Sequence, residues 1–197
     1  IKTTTSPANS DGIYLRRAYQ FLLEDIFITG LTRDGLVLEV IDGDADGPVH
    51  VELRRLWIQN CLQWGINCAL GAARNELSYL TLDQVRVATG GTDDATVPPG
   101  SGGMRWKGQV LSMRDTAFVT NENVGLLTYG TSGLSLNLTA HGVTFENNKR
   151  AHIRLQNVAS ALFENCQMYN NNSYIATKGV VIDGSASSVN NVRFKGT

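Results

Sequence analysis

Two Asp-Gly steps, Asp11-Gly12 and Asp34-Gly35, stand 23 residues apart, and Glu39 follows the second. Carboxylates held close together shift each other's proton affinity. A pair divided into acid and base is what hydrolysis of a glycosidic bond requires. Arg16, Asn67, Arg105, Lys107, Tyr129 and Arg154 supply the cations, amide and phenol that could hold a polyhydroxylated or acidic substrate. Asp42-Gly43-Asp44-Ala45-Asp46-Gly47 opens like a calcium loop, but the twelfth position, acidic in such loops, is Leu53. This stretch reads as a solvated acidic turn at which Asp42, Asp44 and Asp46 hold calcium only adventitiously, so no cofactor is expected. His50, His141 and His152 are scattered along the chain, and Cys61, Cys68 and Cys166 fit no zinc spacing. The three thiols are expected to be free, small core residues.

The elements that position these groups must come from 197 residues, enough for one domain spanning 1–197 with a sizeable core. Lys and Arg number 17 against 18 Asp and Glu, a balance that argues against a nucleic-acid binder. No apolar run approaches the ~20 residues of a membrane span, so no membrane insertion is expected. The first residues, IKTTTSPANSDG, have neither the basic nor the apolar region of a secretion signal. They read as a processed end or the edge of a segment from a longer chain.

Internal repetition then decides the class. Alternating segments start at Gly12, Gly35, Gly65, Gly103, Gly125, His152 and Gly179, at intervals of 23, 30, 38, 22, 27 and 27 residues. Between them lie further short alternating stretches such as VELRRLWIQN, LTLDQVRVATG and LNLTAHGVTFENN. Each unit reads as three short strands separated by three corners, with almost no helical periodicity beyond a scrap at 17–23. Such a unit cannot bury its apolar residues alone, but stacking the units does, and it builds parallel sheets along the stack. About seven coils are expected, the last incomplete. The competing β-sandwich or barrel should show Asn-Gly hairpin turns, and no Asn-Gly occurs. Asp25, Asp83, Asp115 and Asn165 recur at one corner and are assigned to turns.

On the variable coil length, the three strands per coil and the recurring Asn60, Asn121, Asn147 and Asn170 near one corner, the chain resembles the right-handed parallel β-helix superfamily of pectate lyases, polygalacturonases and phage tailspikes. The resemblance covers the chain from about Asp11 onward. It implies an all-β, right-handed parallel β-helix acting on a polysaccharide. It also implies a side-chain ladder of those Asn residues. Asn9-Ser10-Asp11-Gly12-Ile13 is similar to the Asn-Thr-Asp-Gly stretch of polygalacturonases, whose Asp is catalytic. The paired Asp of that family's next coil is missing, and Ala140-His141-Gly142 and Ile153-Arg154-Leu155 fall too late for its other motifs. In lyases of the superfamily an Arg can act as base, but their calcium-binding Asp cluster has no counterpart here.

Alternation assigns faces. Outward columns of the first strands should read Tyr14, Val37, Asn67, Arg105, Leu127, Arg154, Val181 and Arg16, Glu39, Ala69, Lys107, Tyr129, Gln156, Asp183. The long stretches 41–48 and 88–102 flank this face, where loops on a rigid scaffold usually place function. The expected site therefore uses Asp11, Asp34 and Glu39 as catalytic carboxylates. Arg16, Asn67, Arg105, Lys107, Tyr129 and Arg154 would hold the sugar. The expected function is degradation of a polysaccharide, by hydrolysis in preference to elimination, as in a tailspike depolymerase. The alternative is a non-catalytic receptor-binding, adhesin or stalk module. Either role is expected outside the cell or on a virion, in a homo-oligomer such as a homotrimer.

Overall fold

A computed structural model describes residues 10–16, 20–39, 50–70, 77–92, 100–128, 136–171, 178–183 and 189–196. Of the residues singled out above, Asp42, Asp44, Asp46 and Tyr129 lie outside this set, as does the side chain of Ala69.

The described residues form strands and corners with no helix; of 17–23, where a helical scrap was expected, 17–19 lie outside the described residues and 21–23 belong to the strand Phe21–Glu24. Sheet 1 collects the first strand of every coil: Ile13–Arg16, Leu36–Glu39, Trp64–Leu70, Gly102–Trp106, Val124–Thr128, Ala151–Leu155 and Lys178–Ile182. Sheet 2 has seven strands, from Phe21–Glu24 to Val192–Lys195, and sheet 3 has six, from Phe27–Leu31 to Gln167–Tyr169. Within each sheet every strand pairs in parallel with its equivalents one coil above and below. This is a parallel β-helix of three strands per coil and about seven coils.

One continuous apolar core fills the coil interior, with Ile28, Leu38, Leu53, Trp106, Phe145 and Phe163 at 0% exposure. Phe118 stacks on Phe145 with centroids 5.3 Å apart, and Phe163 on Phe194 at 4.9 Å. Trp106, Phe145 and Phe163 point inward as alternation predicts. Met168 packs against the core half-buried. Phe194 also stacks inward but stays 41% exposed, because it lies in the last described strand of sheet 2 and has a neighbouring coil on one side only.

The corners are tight enough to demand left-handed backbone. After sheet 2, Asp25, Arg55, Gln84, Asp115 and Asn165 have φ between 47° and 57°. Three of the four expected turn residues sit there. Asp83 lies one position earlier, at the end of its strand, where Arg114 grips it with bonds of 2.8 and 3.1 Å. After sheet 3 the left-handed position holds Asn60, Thr89, Thr120 and Asn147. The expected single ladder of asparagines is therefore two. Asn60 and Asn147 occupy the left-handed position, while Asn121 is one residue further on, level with Asn148. That inner pair is buried: Asn148 Oδ1 accepts from Asn121 Nδ2 at 2.7 Å, and Asn148 Nδ2 donates to the Phe118 carbonyl at 3.0 Å.

One place near the start of the sheet 1 strands is a glycine in six of the seven coils (Gly12, Gly35, Gly65, Gly103, Gly125 and Gly179), and at Gly103 and Gly125 the ladder itself crowds it. A Cβ at Gly125 would lie 2.7 Å from the His152 carbonyl and 2.9 Å from Asn148 Nδ2. Coil 6 breaks the rule with His152, whose buried ring sits 3.2 Å from Asn148 Nδ2. Burial lowers the proton affinity of that ring and keeps it neutral.

Candidate functional site

Sheet 1 aligns the outward column as alternation requires: Tyr14, Val37, Asn67, Arg105, Leu127, Arg154 and Val181 are successive partners. The second column departs at coil 3. A register shift after Val37 pairs Glu39 with Leu70, where Ala69 was expected. One extra residue in the third strand produces the slip, and a slip of one moves every later side chain to the other face.

Asp11 and Asp34 sit in equivalent places on adjacent coils, each a rung for the next. Asp11 Oδ1 accepts from the Asp34 backbone N–H at 3.2 Å, and Asp34 Oδ1 accepts from the Trp64 N–H at 2.8 Å. Arg33 Nε lies 3.5 Å from Asp11. The other Asp34 oxygen accepts from Asn67 Nδ2 at 2.7 Å, and Asn67 Oδ1 accepts from Arg105 Nε and Nη2, both at 3.2 Å. The Arg105 guanidinium stands 5.5 Å from the Trp64 ring centroid, so Asp34, Asn67, Arg105 and Trp64 form one network across coils 2 to 4. Asp34 is fully buried. Burial raises its proton affinity, and the Asn67 amide and Trp64 N–H pull in the opposite direction.

This network has a pH signature. Asp34's folded value lies above its unfolded one, so ionising it costs the folded state more than the unfolded one. Its contribution to stability is largest below about pH 3.9, the unfolded value, and declines as pH rises through the folded value. Asp34→Asn removes that titration. The stability difference, wild type minus Asp34→Asn, should therefore fall from pH 4 upward and then level off in urea unfolding series. A difference that is flat with pH would show that burial leaves this carboxyl unshifted.

Glu39 is placed apart from that network. Asp34 lies in the corner before the strand Leu36–Glu39, whereas Glu39 closes that strand and shares none of the network's bonds given above. Tyr14 Oη donates to Glu39 Oε2, and Arg16 Nε approaches the same oxygen at 3.3 Å. The bond to Glu39 raises the Tyr14 phenol above its ordinary value. Tyr14, Arg16 and Glu39 are thus a compact polar cluster on coils 1 and 2, with Tyr14 48% exposed.

A third group occupies coils 6 and 7. Arg154 Nη2 contacts Asp183 Oδ2 at 2.6 Å, and Gln156 Nε2 donates to the same oxygen at 2.9 Å. Asp183 belonged to the outward column but not to the expected site. Lys107 is buried, and its backbone N–H donates to the Cys68 carbonyl.

The face is less open than its polar columns suggest. Val37, Asn67 and Leu127 are buried although they point away from the coil interior. Trp64, Val124, Leu127 and Ala151 form a second apolar cluster there, with Val181 against it. Alternation tells which side a residue faces, not whether that side is covered.

Sheet 2 carries ion pairs that the site expectation passed over. Arg54 contacts Glu24, Glu52 and Asp83, and Arg114 continues the column on Asp83. The alternating signs Glu24, Arg54, Asp83, Arg114 at equivalent strand ends were the available signal. The cysteines are free and buried, and burial pushes the Cys61 thiol up to about 12, which suppresses thiolate chemistry. Among the described residues no group of three His, Cys, Asp or Glu could hold a metal ion. No protein-family model matches the chain, nor does any curated protein or solved structure.

Proposed function

We propose that the chain is a polysaccharide-binding β-helix of an extracellular or virion-borne protein, an adhesin-like or tailspike-like module that holds a glycan without cutting it. The observation that carries this reading is the bonding of the carboxylates on sheet 1. Asp11, Asp34, Glu39 and Asp183 each accept from a donor on a neighbouring coil, and Asp34 has no exposed surface. A general acid or a nucleophile has to reach the scissile bond, within about 5–9.5 Å of its carboxylate partner. The cluster of Tyr14, Arg16 and Glu39 offers a ring, a cation and an acceptor, which suits sugar hydroxyls. As in the resembling tailspikes, the working form is proposed to be a homo-oligomer such as a trimer.

Hydrolysis is the second reading, favoured by one observation. Asp34 has a raised proton affinity and sits directly above Asp11, which is how an acid and a base are set apart. A glycan panel separates the two. Retention of a glycan, with no new reducing ends and no absorbance from unsaturated uronates, is the expected result. Reducing ends whose release falls by about 100-fold in both Glu39→Gln and Asp34→Asn would establish cleavage instead. Neither retention nor product would leave a structural stalk.

A further inference from the structure

The outward face of sheet 3 carries a feature that nothing on sheet 1 requires. Phe27, Trp57 and Arg86 are successive partners in one column over coils 1 to 3, and the column continues with the smaller or polar Ala117, Thr144 and Gln167. Trp64 and Trp106 are buried, whereas Trp57 is 47% exposed and Phe27 44%. An outward position on a strand needs no aromatic residue, and two large rings left half in water forgo the stabilisation that burial would bring. These rings are also held in place. Phe27 meets Trp57 edge-on, with centroids 5.6 Å apart and planes at 79°, and the Arg86 guanidinium lies 5.5 Å from the Trp57 ring.

Beside the rings is a hollow of about 440 Å³ lined by Asp25, Ile26, Phe27, Arg55 and Trp57. That volume falls within the ~300–1,000 Å³ of small-molecule sites, which combine aromatic walls with a few placed polar groups. The polar groups here are set in advance: Arg55 grips Asp25 with bonds of 2.7 and 2.8 Å and reaches Glu24 at 2.8 Å. Arg86, one coil beyond Trp57, is exposed, and its guanidinium stands over the Trp57 ring without an ion pair within 4 Å among the described residues.

We propose that this hollow is a binding site for an acidic oligosaccharide. A pyranose has an apolar C–H face and a polar edge. The face suits Trp57 and Phe27, and the edge hydroxyls suit the Arg55–Asp25 pair. The carboxylate of the same or the adjoining sugar unit is met by Arg86 about 4.8 Å further along the stack. The Arg86 charge selects an acidic chain over a neutral one. A purely apolar partner would leave the Arg55–Asp25 pair unused. The site stands on sheet 3 and is separate from the first-strand face.

The test is tryptophan fluorescence of the whole chain during titration with oligogalacturonate, alginate and hyaluronan fragments, and with maltohexaose as the neutral control. Because the other two tryptophans are buried, Trp57 dominates iodide quenching. At least one acidic fragment should protect it, less so at high salt, while maltohexaose does not. Trp57→Ala should weaken binding of that fragment by at least about tenfold, measured by calorimetry, as expected for loss of a stacking surface. Arg86→Gln should weaken it while leaving Trp57 in place, and far-UV spectra should be unchanged in both variants. The signal comes from Trp57, so loss of glycan retention through Tyr14, Arg16 or Glu39 leaves it intact, and the two readings fail separately. Protection by none of the acidic fragments overturns the site. So does equal protection by maltohexaose. If Trp57→Ala changes only the sedimentation of the free protein, the face joins copies of this chain and the proposal falls.

Discussion

Phe145→Ala is expected to lower the free energy of unfolding by about 3–5 kcal/mol, the usual cost of a buried aromatic that leaves a cavity. Phe145 has no exposed surface and lies in the short strand Thr144–Glu146, stacked on Phe118 below and paired in register with Met168 above. A parallel β-helix cannot easily collapse around the loss, because both neighbouring coils are fixed by their own ladders. Against a total stability of about 5–15 kcal/mol, this change removes from about a fifth of the margin to nearly all of it. Urea unfolding followed by circular dichroism measures it. A loss below ~1 kcal/mol would mean that sheet 3 is out of register by one residue.

Asn148→Leu should cost about 2–5 kcal/mol, even though it adds apolar volume to a buried place. Its amide accepts from the backbone and side chain of Asn121 and donates to the Phe118 carbonyl, with the His152 ring alongside. Removing it strands at least two buried polar groups, each costing about 1–3 kcal/mol without a partner. The measurement belongs at pH 8. There the His152 ring is neutral in both folded and unfolded chains, whereas below its unfolded value the unfolded chain takes up a proton that the buried ring resists. Asn60→Ala is the control: Asn60 is exposed, and Thr89 already holds the equivalent position at φ 50°. It should cost about 1 kcal/mol, for the lost bond with Thr89 and a poorer left-handed residue, well below the cost at Asn148. Equal losses at the two sites would contradict the division into an inner and an outer ladder.

That division shows where sequence reading stopped. Asn60, Asn121 and Asn147 look alike as letters at one corner. A one-residue difference in position separates a left-handed turn residue from a buried hydrogen-bonding rung. The bulge that pairs Glu39 with Leu70 escaped for the same reason: local alternation continues unchanged through an extra residue, and only the partner strand reveals the slip. Local alternation does not set Trp57 and Phe27 apart from other strand residues. Their joint exposure beside Arg55 becomes visible only when coils 1 and 2 are laid on each other.

What the residues alone determined was the architecture. Period-two alternation, small residues at the start of each unit and uneven unit lengths without helices admit few folds except a stack of three-stranded coils. They also order the outward column from Tyr14 to Val181 correctly, because stacking preserves register wherever strands are of equal length. Tertiary structure alone decided which of those outward groups meet water. Val37 and Asn67 are outward and buried, and Tyr14 is outward and open. The difference comes from contacts between residues remote in the chain, such as the backbone bonds that Asp11 and Asp34 accept from the next coil.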